Sequence, residues 1–271
     1  FPSSGLTVTD LYYEMQALTW RAKPPIQQDA ILIGNKVIQH DGLISKCYLY
    51  QKDDDWCAAV SDGVSSSPKA EQASKCVLNS VLQQTQTQQR IHLKQVQDDL
   101  SQYLAGNSKT YASSATLAVV TPSSPFGFVN IQHLGDSRVY LFSSHNQHWY
   151  ALTQDHNFLT EMQQNGEAEI KESEQYASFY YMLNHCFCAD SLHEVPEFSP
   201  KEEYLVEGDA LLICSDGVHD VLECNHWKPL MPETPLKTWL LEMKTTLHQN
   251  HAFDNVSMIL IRLTQENQYA K

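Results

Sequence analysis

The tetrapeptide Ser-Asp-Gly-Val occurs twice in this chain, at residues 61–64 and 215–218, each time at the end of an apolar run. The second run, residues 210–214, is Ala-Leu-Leu-Ile-Cys, apolar without alternation. That pattern suits a strand buried on both faces better than a half-exposed one. A buried strand that stops at an acid delivers the acid to the rim of a core, and two matched strands here deliver Asp62 and Asp216. A third acid, Asp254, precedes Asn255 and the apolar run 256–261, at the start of a strand instead of its end. A lone Asp-Gly is a common turn. Repetition after matching strands describes something more: carboxylates crowded at strand ends, where they repel one another unless a cation neutralises them.

Charge and cysteine usage narrow the class. The chain carries 32 acids against 18 bases, a formal net charge of -14, which argues against a broad electrostatic footprint for DNA or RNA. Its longest apolar runs fall far short of the roughly 20 residues a membrane helix needs, so no membrane span is expected. The amino terminus, Phe1-Pro-Ser-Ser-Gly5, lacks a basic region followed by an apolar stretch, and a cytoplasmic location is the expectation. Seven cysteines form an odd, scattered set, and Cys57 and Cys214 sit in apolar strands where Cys acts as a small hydrophobe. No disulfide framework is expected. His185-Cys-Phe-Cys188 has no second Cys/His pair at zinc-finger spacing.

Taken in order after the first twenty residues, 29–33 reads as a strand, Gly34-Asn35 and His40-Asp-Gly42 as turns around a hairpin, and 46–51 as another strand. From Pro68 the period becomes helical, with Ala70, Ala73, Val77 and Val81 three and four apart. A second stripe, Leu93, Val96, Leu100 and Leu104, closes at Gly106-Asn107. Strands return at 115–121, 126–134 and 139–142, spaced as one antiparallel meander through Pro122-Ser-Ser-Pro125 and Gly135-Asp136. Asp155 is placed to start a helix carrying Phe158, Leu159 and Met162. Residues 165–190, polar, acidic and weakly periodic, read as a flap inserted in the fold. Leu236, Trp239, Leu240, Met243 and Leu247 mark a last helix, and 256–263 closes the sheet. Runs of strands followed by helices predict an α+β fold of four layers, sheets packed on each other with helices outside, in one domain over 1–271.

Five pieces now stand together: Ala59-Val-Ser-Asp-Gly-Val64 with Glu71-Gln-Ala-Ser74 behind it, Gly135-Asp-Ser-Arg-Val-Tyr140, Leu152-Thr-Gln-Asp-His156, Ser215-Asp-Gly217 and Asp254-Asn-Val256. In content and order they resemble the metal-dependent Ser/Thr protein phosphatases of the PP2C type, especially bacterial single-domain members, over about residues 28–263. The resemblance implies a four-layer α-β-β-α sandwich, two central antiparallel sheets flanked by helices, with metals in a cleft at one edge. Carried over, Asp62 would bridge two Mg²⁺ or Mn²⁺ ions, Asp216 and Asp254 would bind the first, and the Gly63 carbonyl the second. Asp136 would hold a third, weaker ion with Asp216. Hard oxygen donors suit both metals. The implied reaction is hydrolysis of phosphoserine or phosphothreonine, left on a protein by a Ser/Thr kinase, by a water activated between two ions. A monomer is expected.

The chain departs from the family pattern in three places. Its glycine-rich turn after Asp-Gly is here Ser65-Ser-Ser67, and the glycine before the Thr-rich strand is replaced in Ser113-Ser-Ala-Thr116. The phosphate-binding Arg upstream of Gln28-Asp29 is displaced by Lys23-Pro-Pro25, so Arg21 or Lys23 must serve, Arg21 being favoured for its two-pronged fork. These departures keep open a pseudophosphatase that binds a phosphoprotein without turnover.

Overall fold

The computed structural model describes residues 11–87, 90–166 and 182–265. The chain lays down β1 (Leu11–Trp20), a hairpin of β2 (Ala30–Ile33) and β3 (Lys36–Ile38), the short strands β4 (Gly42–Leu43) and β5 (Tyr48–Tyr50), and β6 (Ala58–Ser61). Helices α1 (Ala70–Thr87) and α2 (Leu93–Leu104) follow, then β7 (Ser114–Ala115), β8 (Leu117–Pro122), β9 (Phe128–Leu134), β10 (Arg138–Ser143) and β11 (His148–Ala151). The last part holds α3 (Phe158–Gln164), β12 (Phe187–Cys188), β13 (Lys201–Tyr204), β14 (Ala210–Cys214), the single turn α4 (Asp216–His219), α5 (Leu236–Gln249) and β15 (Val256–Gln265). One antiparallel sheet runs β11-β10-β14-β15-β1-β4 with β5 also on β1, and the other runs β13-β9-β8-β6-β2-β3.

Apolar side chains decide how these sheets stack. Tyr13, Met15, Ile31, Val60, Val120, Ile213 and Ile259 fill the space between them. On the outer face of one sheet, Val77, Val81, Val96 and Leu100 from α1 and α2 cover Leu32, Ala59 and Val119. On the outer face of the other, Trp239, Leu240 and Leu247 of α5 cover Leu212, Met258 and Leu260. The result is the expected sandwich of helix, sheet, sheet and helix. Leu212 and Ile213 are neighbours on β14 that face different layers, both fully buried, which is why this strand shows no alternation. Each such side chain contributes about 1.5–3 kcal/mol by leaving water.

Three features differ from the sequence reading. β1, which the reading passes over, pairs with β15 along its whole length, from Leu11↔Gln265 to Trp20↔Val256. Its pattern is masked by Glu14 and Gln16, which are satisfied by residues distant in sequence: Glu14 meets Arg262 at 2.7 Å and the Gln16 amide donates to the Ile44 carbonyl. The meander is not continuous either. β8 and β9 form a hairpin, but β10 pairs with β14 and β11 in the facing sheet, so Gly135-Asp136-Ser137 crosses from one sheet to the other. Finally, Asp155 does not start α3. Asn157 caps that helix, its Oδ1 accepting from the Thr160 N–H at 2.8 Å, while Asp155 takes Arg138 in a two-pronged pair at 2.6 and 2.7 Å. Of the flap at 165–190, residues 167–181 lie outside the described residues, and beyond them β12 pairs with β7.

Candidate active site

The two copies of Ser-Asp-Gly-Val end strands in facing sheets, β6 in one and β14 in the other, and the strands touch across the core. Asp62 and Asp216 consequently meet at one edge of the sandwich, within hydrogen-bonding reach of each other. Asp254 joins them because β15, which it precedes, lies beside β14. Asp136 joins them because the β9–β10 crossing spans the same edge. Both glycines of the doubled motif are required by crowding: a Cβ on Gly63 would lie 2.4 Å from the Ala70 carbonyl oxygen, and one on Gly217 2.0 Å from that of Asn255.

A fifth acid belongs to the cluster. Asp29, fully buried at the start of β2, accepts a hydrogen bond from the Ser215 hydroxyl at 2.8 Å and lies near Asp62 and Asp254. The sequence reading treats it only as a strand start. Its signal was available, since an acid opening a buried strand is what singles out Asp254. The surrounding loops are cross-tied: Asn255 accepts from the Gln28 N–H at 2.7 Å and donates to the Arg21 carbonyl at 2.9 Å, and Ser215 receives the Ser257 N–H at 3.0 Å. Asp62 is fixed through its backbone, whose carbonyl accepts from Thr116 N at 2.8 Å.

Burial, with crowding, raises the proton affinity of Asp29, Asp62, Asp136 and Asp216. Burial, opposed by the Ser215 and Ser257 hydroxyls, moves Asp29 up to about 6. Burial and the charges of Asp216 and Asp29 hold Asp62 well above the ordinary carboxylate range. Burial, then the charges of Asp216 and Asp155, lift Asp136 to about 8, and burial, then Asp220 and Asp254, lift Asp216 to about 7, with the Asp62 hydrogen bond acting against it. Asp29 Oδ1 and Asp216 Oδ1 are buried with no hydrogen-bond partner. A cluster of hard oxygen donors whose ionised forms are disfavoured by burial and by one another, two of them with idle buried oxygens, fits hard divalent cations. Among the described residues no three such side chains are grouped closely enough to hold an ion as they stand.

The candidate phosphate anchor is not in this cluster. Arg21, at the end of β1, donates to the Pro25 carbonyl at 2.8 Å and lies 3.7 Å from Asp41, half exposed, and Lys23 is exposed on the same loop. In the serine-rich turn, Ser67 N–H closes onto the Val64 carbonyl at 2.8 Å, and the Ser67 hydroxyl accepts from Ser114 N at 3.0 Å. In the stretch that lacks the family's glycine, Ser113 is fully buried and its hydroxyl accepts from Lys69 N at 3.1 Å, ahead of α1.

The family model for protein phosphatase 2C matches residues 46–260, most of the chain and all but one of the clustered acids. The chain belongs to the protein phosphatase 2C family. Solved structures agree on the fold. The S. agalactiae serine/threonine phosphatase superposes with a TM-score of 0.69 at 17% identity, over 92% of this chain and 99% of that one. Stp1 from Staphylococcus aureus gives 0.71 at 20%, over 93% and 95%. The catalytic domain of the serine/threonine protein phosphatase PstP, a protein of Mycobacterium tuberculosis, gives 0.63 at 16%, over 94% and 100%, and that structure is a complex with 2 manganese ions. Family and fold therefore rest on independent matches, and among the described residues no helix is long and apolar enough to cross a membrane.

Proposed function

We propose that this chain hydrolyses phosphoserine and phosphothreonine monoesters in proteins, in opposition to a Ser/Thr kinase, with two Mn²⁺ or Mg²⁺ ions held in the acidic cleft. The observation that carries the proposal is that both sheets bring five acidic residues to one edge, where burial and neighbouring charge raise the proton affinity of Asp29, Asp62, Asp136 and Asp216. Asp62, central to the group, would bridge the two ions. Asp216 and Asp254 would complete the first site, and the Gly63 carbonyl the second. Asp136 would hold a third, weaker ion with Asp216. When bound, the ions would supply a water of lowered pKa and positive charge opposite the phosphoryl oxygens. Asp29 sits beneath, hydrogen-bonded to Ser215, and keeps Asp62 and Asp254 in register.

Arg21 would orient the phosphate by exchanging the Pro25 carbonyl for phosphate oxygens, a change its half-exposed position permits. Its present engagement with Pro25 and Asp41 is the one observation favouring the second reading, a binding protein for phosphorylated partners without turnover. Hydrolysis of a generic aryl phosphate with Mn²⁺, with and without chelator, separates the two. Chelator-sensitive turnover that disappears in Asp62→Asn is the expected result, and Mn²⁺-independent or absent turnover refutes the enzymatic reading.

A further inference from the structure

Asp136 sits on a crossing whose neighbours are tied to their own surroundings. Gly135 N–H donates to His156 Nδ1 at 3.1 Å, the Gly135 carbonyl accepts from His156 N at 3.0 Å, and the Ser137 hydroxyl meets that of Thr116 at 2.8 Å. The Asp136 carbonyl is held differently, by the imidazole of His219 at 3.0 Å. A carbonyl can only accept, so His219 Nε2 carries the hydrogen. The ring is almost fully enclosed, its side chain 2% exposed, and its Nδ1 lies 3.2 Å from Asp220 Oδ1 without a hydrogen bond. His219 closes α4, the turn that Asp216 opens. One turn therefore bears the Asp216 carboxylate at its start and, at its end, the ring that holds the backbone of Asp136.

We propose that His219 is a positioning residue: through the Asp136 carbonyl it sets the separation and orientation of Asp136 against Asp216, and so the affinity for the ion these two share. This rests on the reading of Asp136 as a ligand of a third ion. His219 acts through the backbone it holds. Loss of the grip frees the crossing at the one residue whose carboxylate must meet Asp216, while the ties at Gly135 and Ser137 persist.

The replacements that separate this from a packing role are Gln and Asn. The amide nitrogen of Gln reaches roughly where Nε2 stands, whereas that of Asn reproduces Nδ1 and falls short of the Asp136 carbonyl. Free Mn²⁺ is counted by electron paramagnetic resonance during titration of the full chain, with melting curves in chelator alongside. We expect His219→Gln to bind the third ion within about threefold of wild type and His219→Asn to bind it about tenfold more weakly, the effect of one hydrogen bond. The two tighter ions should be unchanged in both. Equal third-ion affinity in Gln and Asn variants, or a uniform loss of all ions that follows a lowered melting temperature, overturns the proposal. Asp136→Ala is the control for the underlying reading: if it keeps a third ion, or if wild type binds only two, the assignment of Asp136 fails whatever His219 does. If Asp136→Ala loses that ion while His219→Asn keeps it, only the role of His219 fails.

Discussion

Replacing Asp216 by Asn should destroy activity and, in the absence of metal, make the protein more stable at alkaline pH. Asp216 is lifted from 3.8 to about 7, chiefly by burial. Between those two values the folded protein keeps a proton that the unfolded chain has released. Stability therefore falls as pH rises from about 4 to about 7 and stays reduced above. At 1.36 kcal/mol per pH unit the interval corresponds to on the order of 4 kcal/mol at full effect. An amide in place of the carboxylate removes the charge but still loses some hydration on burial, so about 1–3 kcal/mol should be recovered. For a domain near this size that is a rise in Tm of roughly 2–10 °C. The assay is thermal melting of wild type and Asp216→Asn in chelator at pH 4.5 and pH 8.5, repeated with Mn²⁺. The two proteins should melt closer together at the lower pH, the variant should melt higher at the upper pH in chelator, and wild type should gain more from Mn²⁺. A variant less stable than wild type at pH 8.5 in chelator would refute the idea that the buried charge of Asp216 is what the cations relieve.

Asp62→Asn should fold normally yet lose more than about nine-tenths of turnover at saturating Mn²⁺, because the proposed bridge touches both ions, and retention of more activity sinks the two-ion assignment. Arg21→Ala should raise KM for a phosphopeptide more than it lowers kcat, while an unchanged KM there beside a raised one in Lys23→Ala would move the anchor to Lys23. His156, pushed down to about 3 by burial and then by His133 and His185, stays neutral in the folded protein while the unfolded chain takes up a proton below about 6.5. Stability should therefore drop as pH falls from 6.5 towards 3, and the drop in Tm should be shallower in His156→Asn, which keeps an acceptor for Gly135 N–H; equal slopes count against a buried neutral imidazole.

Strands buried on both faces and helices with one apolar stripe were legible because their patterns follow from burial alone. β14, α1, α2 and α5 fall where the residues place them. β1 was not legible, because its polar positions are satisfied by partners far away in sequence: Glu14 by Arg262 and Gln16 by Ile44. The sheet change at Gly135-Asp136 was hidden for another reason. A hairpin and a crossing can share the same turn residues, and only pairing of β10 with β14 distinguishes them. The misplaced helix start at Asp155 has the same root, an acid whose local capping role lost to a two-pronged pair with Arg138 from a neighbouring strand. Asp62, Asp216 and Asp254 stood out because each adjoins an apolar run, and Asp29 adjoins one too, but its short strand drew attention to the hairpin instead.

The same crossing explains why the acids gather at one edge. β6 and β14 lie in different sheets, so their terminal acids face each other only if the sheets are held in register at that end. Two connections do this. The β9–β10 crossing runs directly from sheet to sheet and bears Asp136 at its middle, and the Asp29–Ser215 hydrogen bond, with Ser257 behind it, joins the start of β2 to the ends of β14 and β15 at full burial. A buried, charged contact is a poor choice for stability alone, since removing charge from such sites often stabilises. Its placement beneath the acid cluster makes sense if register at this edge, and not maximal stability, is what the sandwich must preserve. The expected gain in stability of Asp216→Asn and its expected loss of activity are then two readings of one arrangement.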